Sequence, residues 1–234
     1  MRGRISFSEL NFQNAREIYE EEKIDPLTNE EAFKGALYCV FSAKQDHETH
    51  IRVHGEMIRA GYTTPNAIIN DERGVGEYTK RLVISKSKHQ SVMGLANWWK
   101  ESTLPERILE DVGSGRLQGF KLRNEMAPPP SQGGAPGLGW KCASMFLRMC
   151  GYQSLVPVDT HVQSFLIETN HEVRKTKWLE SSYSRREYLD LEQKFSRVAA
   201  EYGETPGFFQ LVVWCAFAYQ NTGQLQLPSI KPNH

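Results

Sequence analysis

Pro136-Gly137-Leu138-Gly139-Trp140-Lys141-Cys142-Ala143, followed at Val158-Asp159-Thr160-His161-Val162 by an aspartate that opens a second helix, is the stretch on which the reading of this chain turns. A glycine-flanked hairpin leading into a helix can hold a phosphate on its backbone N–H groups, which points to nucleic acid. Past the hairpin, Ala143, Phe146, Leu147 and Cys150 recur at i, i+3, i+4 and i+7, the buried stripe of an amphipathic helix. At about 100° per residue Lys141 falls on roughly the opposite face, in the first turn, and is therefore not expected in the core.

An ammonium at the positive end of a helix dipole is disfavoured, which raises the fraction of neutral amine able to act as a nucleophile. Such an amine can attack a sugar C1′ and form a Schiff base. Taken alone, Lys141 reads equally well as one of the chain's solvated lysines. Asp159 carries two compatible readings. Ahead of Val162, Phe165 and Leu166 it is a good N-cap, whose carboxylate accepts an early helical N–H. A carboxylate with its orientation fixed in that way also suits a developing cation, such as the oxocarbenium-like sugar formed as a glycosidic bond breaks.

These residues together resemble the helix-hairpin-helix (HhH-GPD) superfamily of DNA glycosylases, whose motif is a glycine hairpin, a catalytic lysine just inside the next helix and an aspartate about eighteen positions on. Here 159 − 141 = 18. Cys39-Val40-Phe41-Ser42-Ala43 looks like the entry to the loop that carries the DNA-intercalating residue. Tyr202-Gly203-Glu204-Thr205-Pro206-Gly207 through Trp214 looks like the closing helices of the Ogg2 type of 8-oxoguanine DNA glycosylase/AP lyases, so the resemblance covers most of Glu30 to Tyr219.

The resemblance implies an all-α, two-lobed glycosylase fold with the active site between the lobes, built as a single unit over 1–234 with the helix-hairpin-helix motif at about 120–150. It places Lys141 as the Schiff-base lysine and Asp159 as the catalytic aspartate. Gly137, Leu138 and Gly139, with Lys141, stand at the positions whose backbone amides grip the phosphate. Lys44 or Gln45 stands near the residue that fills the gap left by a flipped base, and Trp214 near the aromatic of the base pocket. The implied activity is that of a bifunctional DNA glycosylase/AP lyase in base excision repair. Its partner is double-stranded DNA carrying a damaged or modified base, 8-oxoguanine foremost, bound by a monomer that uses no metal and no organic cofactor.

Departures from the pattern bear on the substrate. Residues 127–136 form a Pro/Gly-rich insertion ahead of the hairpin, so the first helix of the motif is displaced or ends early. The chain runs past Trp214 to His234, where the Ogg2 type ends sooner on a lysine that recognises the oxidised guanine, and Gln210 sits where that type tends to have an aspartate. A glycosylase for another modified base, including a phage hypermodified base in a defence role, stays open. So does a non-catalytic binding module that uses only the hairpin.

Composition is that of an ordinary globular protein, with 39% hydrophobic and 24% charged residues in 234, enough for one compact unit or two intimate lobes. The 28 basic and 28 acidic residues cancel, so DNA contact has to come from local patches rather than from bulk charge. Lys80-Arg81, Lys86-Ser87-Lys88, Lys121 with Arg123, Arg174-Lys175 with Lys177, and Arg185-Arg186 are the candidates, and each also reads as a solvated face. Cys39, Cys142, Cys150 and Cys215 fall in apolar helical patterns, as buried reduced thiols of a cytosolic protein do. With Cys215 alone near the C-terminus, no iron–sulfur cluster is expected. Arg2, Arg4 and Glu9 interrupt any N-terminal apolar run, and Phe208 to Phe217 is too short to span a membrane. The expected location is cytoplasmic, nucleoid-associated in a prokaryote.

The pattern elsewhere is helical. Thr28 with Glu31 is a capping-box signature ahead of Phe33, Leu37, Val40 and Phe41, and Tyr188, Leu191, Phe195, Val198, Ala199 and Tyr202 mark a long amphipathic helix ending at Gly203. Loops are expected at Gly61 to Pro65, Asp71 to Gly76, 128–139 and Ser181 to Arg186, with a loosely ordered tail at 223–234. His47, His50 and His54 lie near Asp46 and Glu48, but Ile51 and Arg52 stand where a zinc-protease motif needs its glutamate. They are expected to face DNA or solvent rather than a metal. Trp98 and Trp99 read as packing, Trp140 as packing or the edge of a pocket, and His161 as structural.

Overall fold

A computed structural model describes residues 9–25, 27–43, 47–82, 85–115, 118–169, 171 and 184–222. Every regular element among them is helical, as sustained 3.6-residue periodicity without strand-like alternation requires. In chain order these are α1 (Glu9–Glu22), α2 (Asn29–Ser42), α3 (His47–Arg59), α4 (Pro65–Asn70), α5 (Glu72–Thr79), α6 (Ser85–Glu101), α7 (Leu104–Gly113), α8 (Gly119–Met126), α9 (Trp140–Met149), α10 (Thr160–Glu168), α11 (Arg185–Glu201) and α12 (Pro206–Thr222), with a short 3₁₀ turn at Pro130–Gln132. No described helix is long and apolar enough to cross a membrane. The described residues divide into two compact units, one formed by Lys23–Tyr152 and the other by Glu9–Glu22 together with those from Gln153 to Thr222.

In the Lys23–Tyr152 unit, α2 is the central helix, buried from Ala32 through Phe41 apart from Lys34 and packed by α3, α6, α7 and α9. Thr28 caps it, accepting the Glu31 amide at 3.2 Å, while the Glu31 carboxylate is taken by Lys34. Packed against α2, α3 overturns the expectation that His50 and His54 face DNA or solvent. His50 is buried edge-on to Tyr38, with ring centroids 5.0 Å apart, and a His54 ring nitrogen meets the Lys34 carbonyl at 3.1 Å. The i, i+4 spacing does put both imidazoles on one face, but that face is the one turned to α2. Burial pushes the His54 pKa down to about 4, so this ring serves as a neutral, flat packing group.

The stretch Asp71–Gly76, expected as a loop, is helical: Asp71 caps α5 by accepting the Gly74 amide at 2.9 Å. A good N-cap outweighs the helix cost of Gly74 and Gly76. Some basic runs also change character. Lys88 is buried, its ammonium bound to the Val40 and Phe41 carbonyls at the end of α2. Arg123 is fully buried on α8, with its guanidinium 5.2 Å from the Phe120 ring centroid and 5.5 Å from that of Trp140, and Nη1 donating to Ser144 at 3.2 Å. Arg81 pairs with Glu56 and Lys80 with Glu77. Trp99 is core and donates to Asn29 at 2.7 Å, while Trp98 holds the Gly133 carbonyl at 3.1 Å.

The second unit packs α1 and α10 against α12, with α11 alongside α10 and α12. Its core is a cluster of Phe165, Phe195 and Phe209, with ring centroids 5.5 to 5.8 Å apart. The helix expected from Tyr188 onward is α11, which starts at a full capping box between Ser184 and Glu187 and so takes in Arg185 and Arg186, read above as loop. All four cysteines are free and buried. The proposed wedge residues Lys44 and Gln45, the run Arg174-Lys175 with Lys177, and the tail 223–234 lie outside the described residues.

Candidate active site

The hairpin is a turn closed by Leu138 N–H donating to the Ala135 carbonyl at 3.1 Å, with Pro136 and Gly137 at its centre and Gly137 at φ 79°. Proline then a left-handed residue is the type II arrangement, which favours glycine at the second position. A second constraint acts there: a Cβ on Gly137 would stand 2.9 Å from Ser91 Cβ on α6 and 3.0 Å from Val40 Cγ2 on α2. Leu138 is wholly buried and anchors the hairpin, leaving Gly137 and Gly139 exposed on either side. The first helix of the motif, α8, ends at Met126, and the insertion after it docks through the Trp98–Gly133 bond and a 2.9 Å bond from Ala135 N–H to the Met126 carbonyl.

Gly139 is the N-cap of α9 in extended geometry, and no side chain caps that helix. Its N-terminus thus presents first-turn amides and the positive end of the dipole beside an exposed glycine. Lys141, in this first turn, is half-buried, while Ala143, Phe146, Leu147 and Cys150 form the buried stripe against α2 and α8. The stripe is wider than the periodicity implies, since Cys142, Ser144, Arg148 and Met149 are buried too in a helix with neighbours on two sides. Burial pushes the Cys142 thiol up, against the opposing pull of the Lys141 and Lys88 ammonium groups. The cysteine next to the lysine is therefore held as an inert thiol.

Asp159 lies in the other unit, as the N-cap of α10. Its Oδ1 accepts the His161 amide at 3.0 Å and the Val162 amide at 2.9 Å, and its Oδ2 accepts Gln210 Nε2 at 3.4 Å. The buried segment leading to it is clamped from α11. The Glu192 carboxylate accepts Val156 N–H at 3.0 Å, and the Tyr188 hydroxyl donates to the Val156 carbonyl at 2.6 Å and accepts Val158 N–H at 3.1 Å. Along α12, Gln210, Trp214 and Phe217 follow at i, i+4 and i+7. Gln210 meets Asp159 and the Phe217 ring lies 5.3 Å from that of His161, so half-buried Trp214 stands on the stripe turned to the start of α10. Tyr188, Glu192 and the Gln210 contact were not legible as site features, because their partners lie far away in sequence.

The family model Ogg-HhH, described as 8-oxoguanine DNA glycosylase, matches residues 13–204. The chain belongs to this family. Within the Ogg-HhH family, it is 32% identical over 116 residues to the 8-oxoguanine DNA glycosylase/AP lyase of Thermotoga maritima, covering 47% of this chain and 54% of that protein. The chain is thus matched along about half the length of the Thermotoga relatives. The 8-oxoguanine DNA glycosylase/AP lyase of Methanocaldococcus jannaschii is 25% identical over 217 residues, or 90% of this chain and 89% of the relative. Among solved structures, the 8-oxoguanine DNA glycosylase of Thermotoga maritima superposes with a TM-score of 0.69 at 23% identity, covering 92% of each chain. That of Methanocaldococcus jannaschii gives 0.68 at 21%, over 93% of this chain and 90% of the other. At these identities the structural likeness speaks for the all-α fold.

Proposed function

We propose that this protein is a bifunctional DNA glycosylase/AP lyase that excises 8-oxoguanine from duplex DNA, and that Lys141 and Asp159 carry the chemistry. The observation that carries the reading is the uncapped N-terminus of α9, entered through a tightly constrained glycine hairpin and bearing Lys141 in its first turn. With the Leu138 amide taken up by the turn, contrary to the expectation that it grips the phosphate, the Gly137 and Gly139 amides and the first-turn amides of α9 hold a backbone phosphate while the target nucleotide swings out of the stack, at a cost of a few kcal/mol. Asp159 faces the sugar as positive charge develops at C1′, and the Lys141 amine attacks C1′ as the base leaves with the glycosidic bonding pair. The attacking nitrogen then loses a proton and the sugar ring opens, the C1′–O4′ bond breaking with its pair onto O4′, which takes up a proton; the resulting C1′ iminium acidifies the C2′ proton, whose loss expels the 3′ phosphate in a β-elimination. Trp214, on the stripe next to Asp159, offers a face for the extruded base, while Lys44 and Gln45 are the proposed wedge. The preference for 8-oxoguanine rests on the names of the relatives over the greater part of this chain.

Borohydride trapping on abasic duplex DNA tests the lyase assignment. Wild-type protein is expected to cross-link, and Lys141→Ala to lose both cross-linking and nicking while still binding the abasic duplex. Undiminished trapping in that variant would remove Lys141 from the nucleophile role. A panel of duplexes carrying 8-oxoguanine, uracil, thymine glycol and bulky modified cytosines tests the substrate, and excision of another base with 8-oxoguanine ignored would overturn the substrate while leaving the lyase standing.

A further inference from the structure

We infer that Gln210 is a positioning residue of the excision reaction, its side-chain amide holding the Asp159 carboxylate oxygen that the α10 backbone does not use. The inference rests on the assignment of Asp159 proposed above. Gln210 is 5% exposed within the otherwise apolar run Phe208-Phe209-Gln210-Leu211-Val212-Val213 of α12. A buried amide in such a run is costly unless it finds a partner, and the partner here is Asp159 Oδ2, with Nε2 as donor at 3.4 Å. The opposite amide orientation would set two oxygens against each other, so the donor assignment follows from chemistry as well as from placement.

The residue type matters at this spot. A cation there would pair with the carboxylate and quench its field on a developing sugar cation, and a carboxylate, such as the aspartate that the Ogg2 type tends to have at this position, would share a proton with it. A neutral donor does neither: it fixes the second oxygen and leaves the negative charge whole. Among the described residues of this unit, the ionisable groups turned to the start of α10 from the elements packed about it are His161 on its own helix, with its ring against Phe217, and Tyr188 and Glu192 on α11, both engaged with the backbone of Val156 and Val158. From Pro206 to Phe217, α12 carries no charged residue, and its Cys215 thiol is buried and pushed up to about 12. A carboxylate placed at 210 is therefore the one new titrating group on that face.

The test compares Gln210→Glu, Gln210→Met and Gln210→Asn with Asp159→Asn in single-turnover assays across pH, on 8-oxoguanine duplexes and on abasic duplexes, with melting temperature recorded for each. Gln210→Glu is expected to move the acid limb of both rate profiles up by about one pH unit or more, as two facing carboxylates share a proton. Gln210→Met and the shorter Gln210→Asn are expected to slow excision about tenfold without moving the limb or the KM. A loss confined to the base-containing duplex, with an unchanged profile on abasic DNA, would overturn the inference and make Gln210 a base reader. Wild-type profiles in all the Gln210 variants beside an impaired Asp159→Asn would also overturn it alone. If Asp159→Asn itself excises normally, the assignment of Asp159 fails first.

Discussion

Gly137 and Gly139 sit two residues apart in one hairpin, yet an added methyl should act on different properties at each. At Gly137 the backbone is left-handed, φ 79°, which costs a residue with a Cβ about 1–2 kcal/mol. The new Cβ would also press on Ser91 Cβ at 2.9 Å and Val40 Cγ2 at 3.0 Å, atoms close to the backbones of buried helices that yield little, for a further ~1–3 kcal/mol of overpacking. Gly137→Ala should thus lose about 2–5 kcal/mol in urea unfolding. Gly139 is at φ −65° and ψ 179°, ordinary geometry for any residue, and nothing lies within 4 Å of its added Cβ. Gly139→Ala should cost less than about 1 kcal/mol. That methyl nevertheless stands in open space at the mouth of the first turn of α9, where a phosphate has to approach the amides. Losing one charge-assisted bond there is worth about 1.5–3 kcal/mol, roughly a tenfold to hundredfold loss of affinity for a duplex carrying a non-cleavable abasic analogue, read by fluorescence anisotropy. Full affinity in Gly139→Ala would refute the reading of this helix end as the phosphate grip, and an unchanged unfolding midpoint in Gly137→Ala would refute the account of the turn.

Asp159→Asn should keep the cap, since its side-chain oxygen can still accept the His161 and Val162 amides, so melting should change by less than about 1 kcal/mol while single-turnover excision falls about a hundredfold or more; activity and melting falling only in step would mark the residue as structural. His54 gives a pH signature. Its folded pKa of about 4 lies below the unfolded 6.5, so unfolding takes up a proton between those values, and the stabilising contribution, up to about 3 kcal/mol, is present above pH 6.5 and lost as pH falls towards 4. His54→Gln lacks that titration, so its urea midpoint should drop less than that of the wild type between pH 7 and 4.5; parallel curves would count against a neutral ring packed on α2.

The helical fold was legible because its main signals are local. The α9 stripe, the Thr28 cap of α2 and the run of apolar positions through α11 are all set by residues three or four apart, which lie together on one face whatever the tertiary structure does. The misreadings arise where a neighbour in space decides. Spacing shows that His50 and His54 share a face of α3 but not that α2 covers it, and composition places Lys88 and Arg123 in basic patches while packing buries them under α2 and between two aromatic rings. The same limit divides the candidate site. Lys141 and Asp159 stand out because hairpin, helix start and cap are local events. Gln210 is 51 positions from Asp159, and Tyr188 and Glu192 reach back 30 to 36 positions to the segment ahead of it, so their part in holding that carboxylate had no local trace.

Zero net charge is compatible with the proposed DNA chemistry for a reason visible in individual residues. Nonspecific affinity for DNA scales with the phosphates that free cations neutralise, and several cations of this chain are already spent within it. Lys88 closes the end of α2, Arg123 is enclosed on α8, and Arg81, Lys80 and Arg107 pair with Glu56, Glu77 and Glu125. A helix terminus needs no side-chain cation to hold a phosphate, because its donors are backbone amides and its field comes from the aligned peptide dipoles. Such donors are useful only if a phosphate can reach them, and that is decided by the exposed Gly139, the absence of a capping side chain on α9 and the buried Leu138 that fixes the turn. Proposed recognition in this chain therefore depends on backbone geometry at one hairpin, which composition does not register and a single added methyl can block.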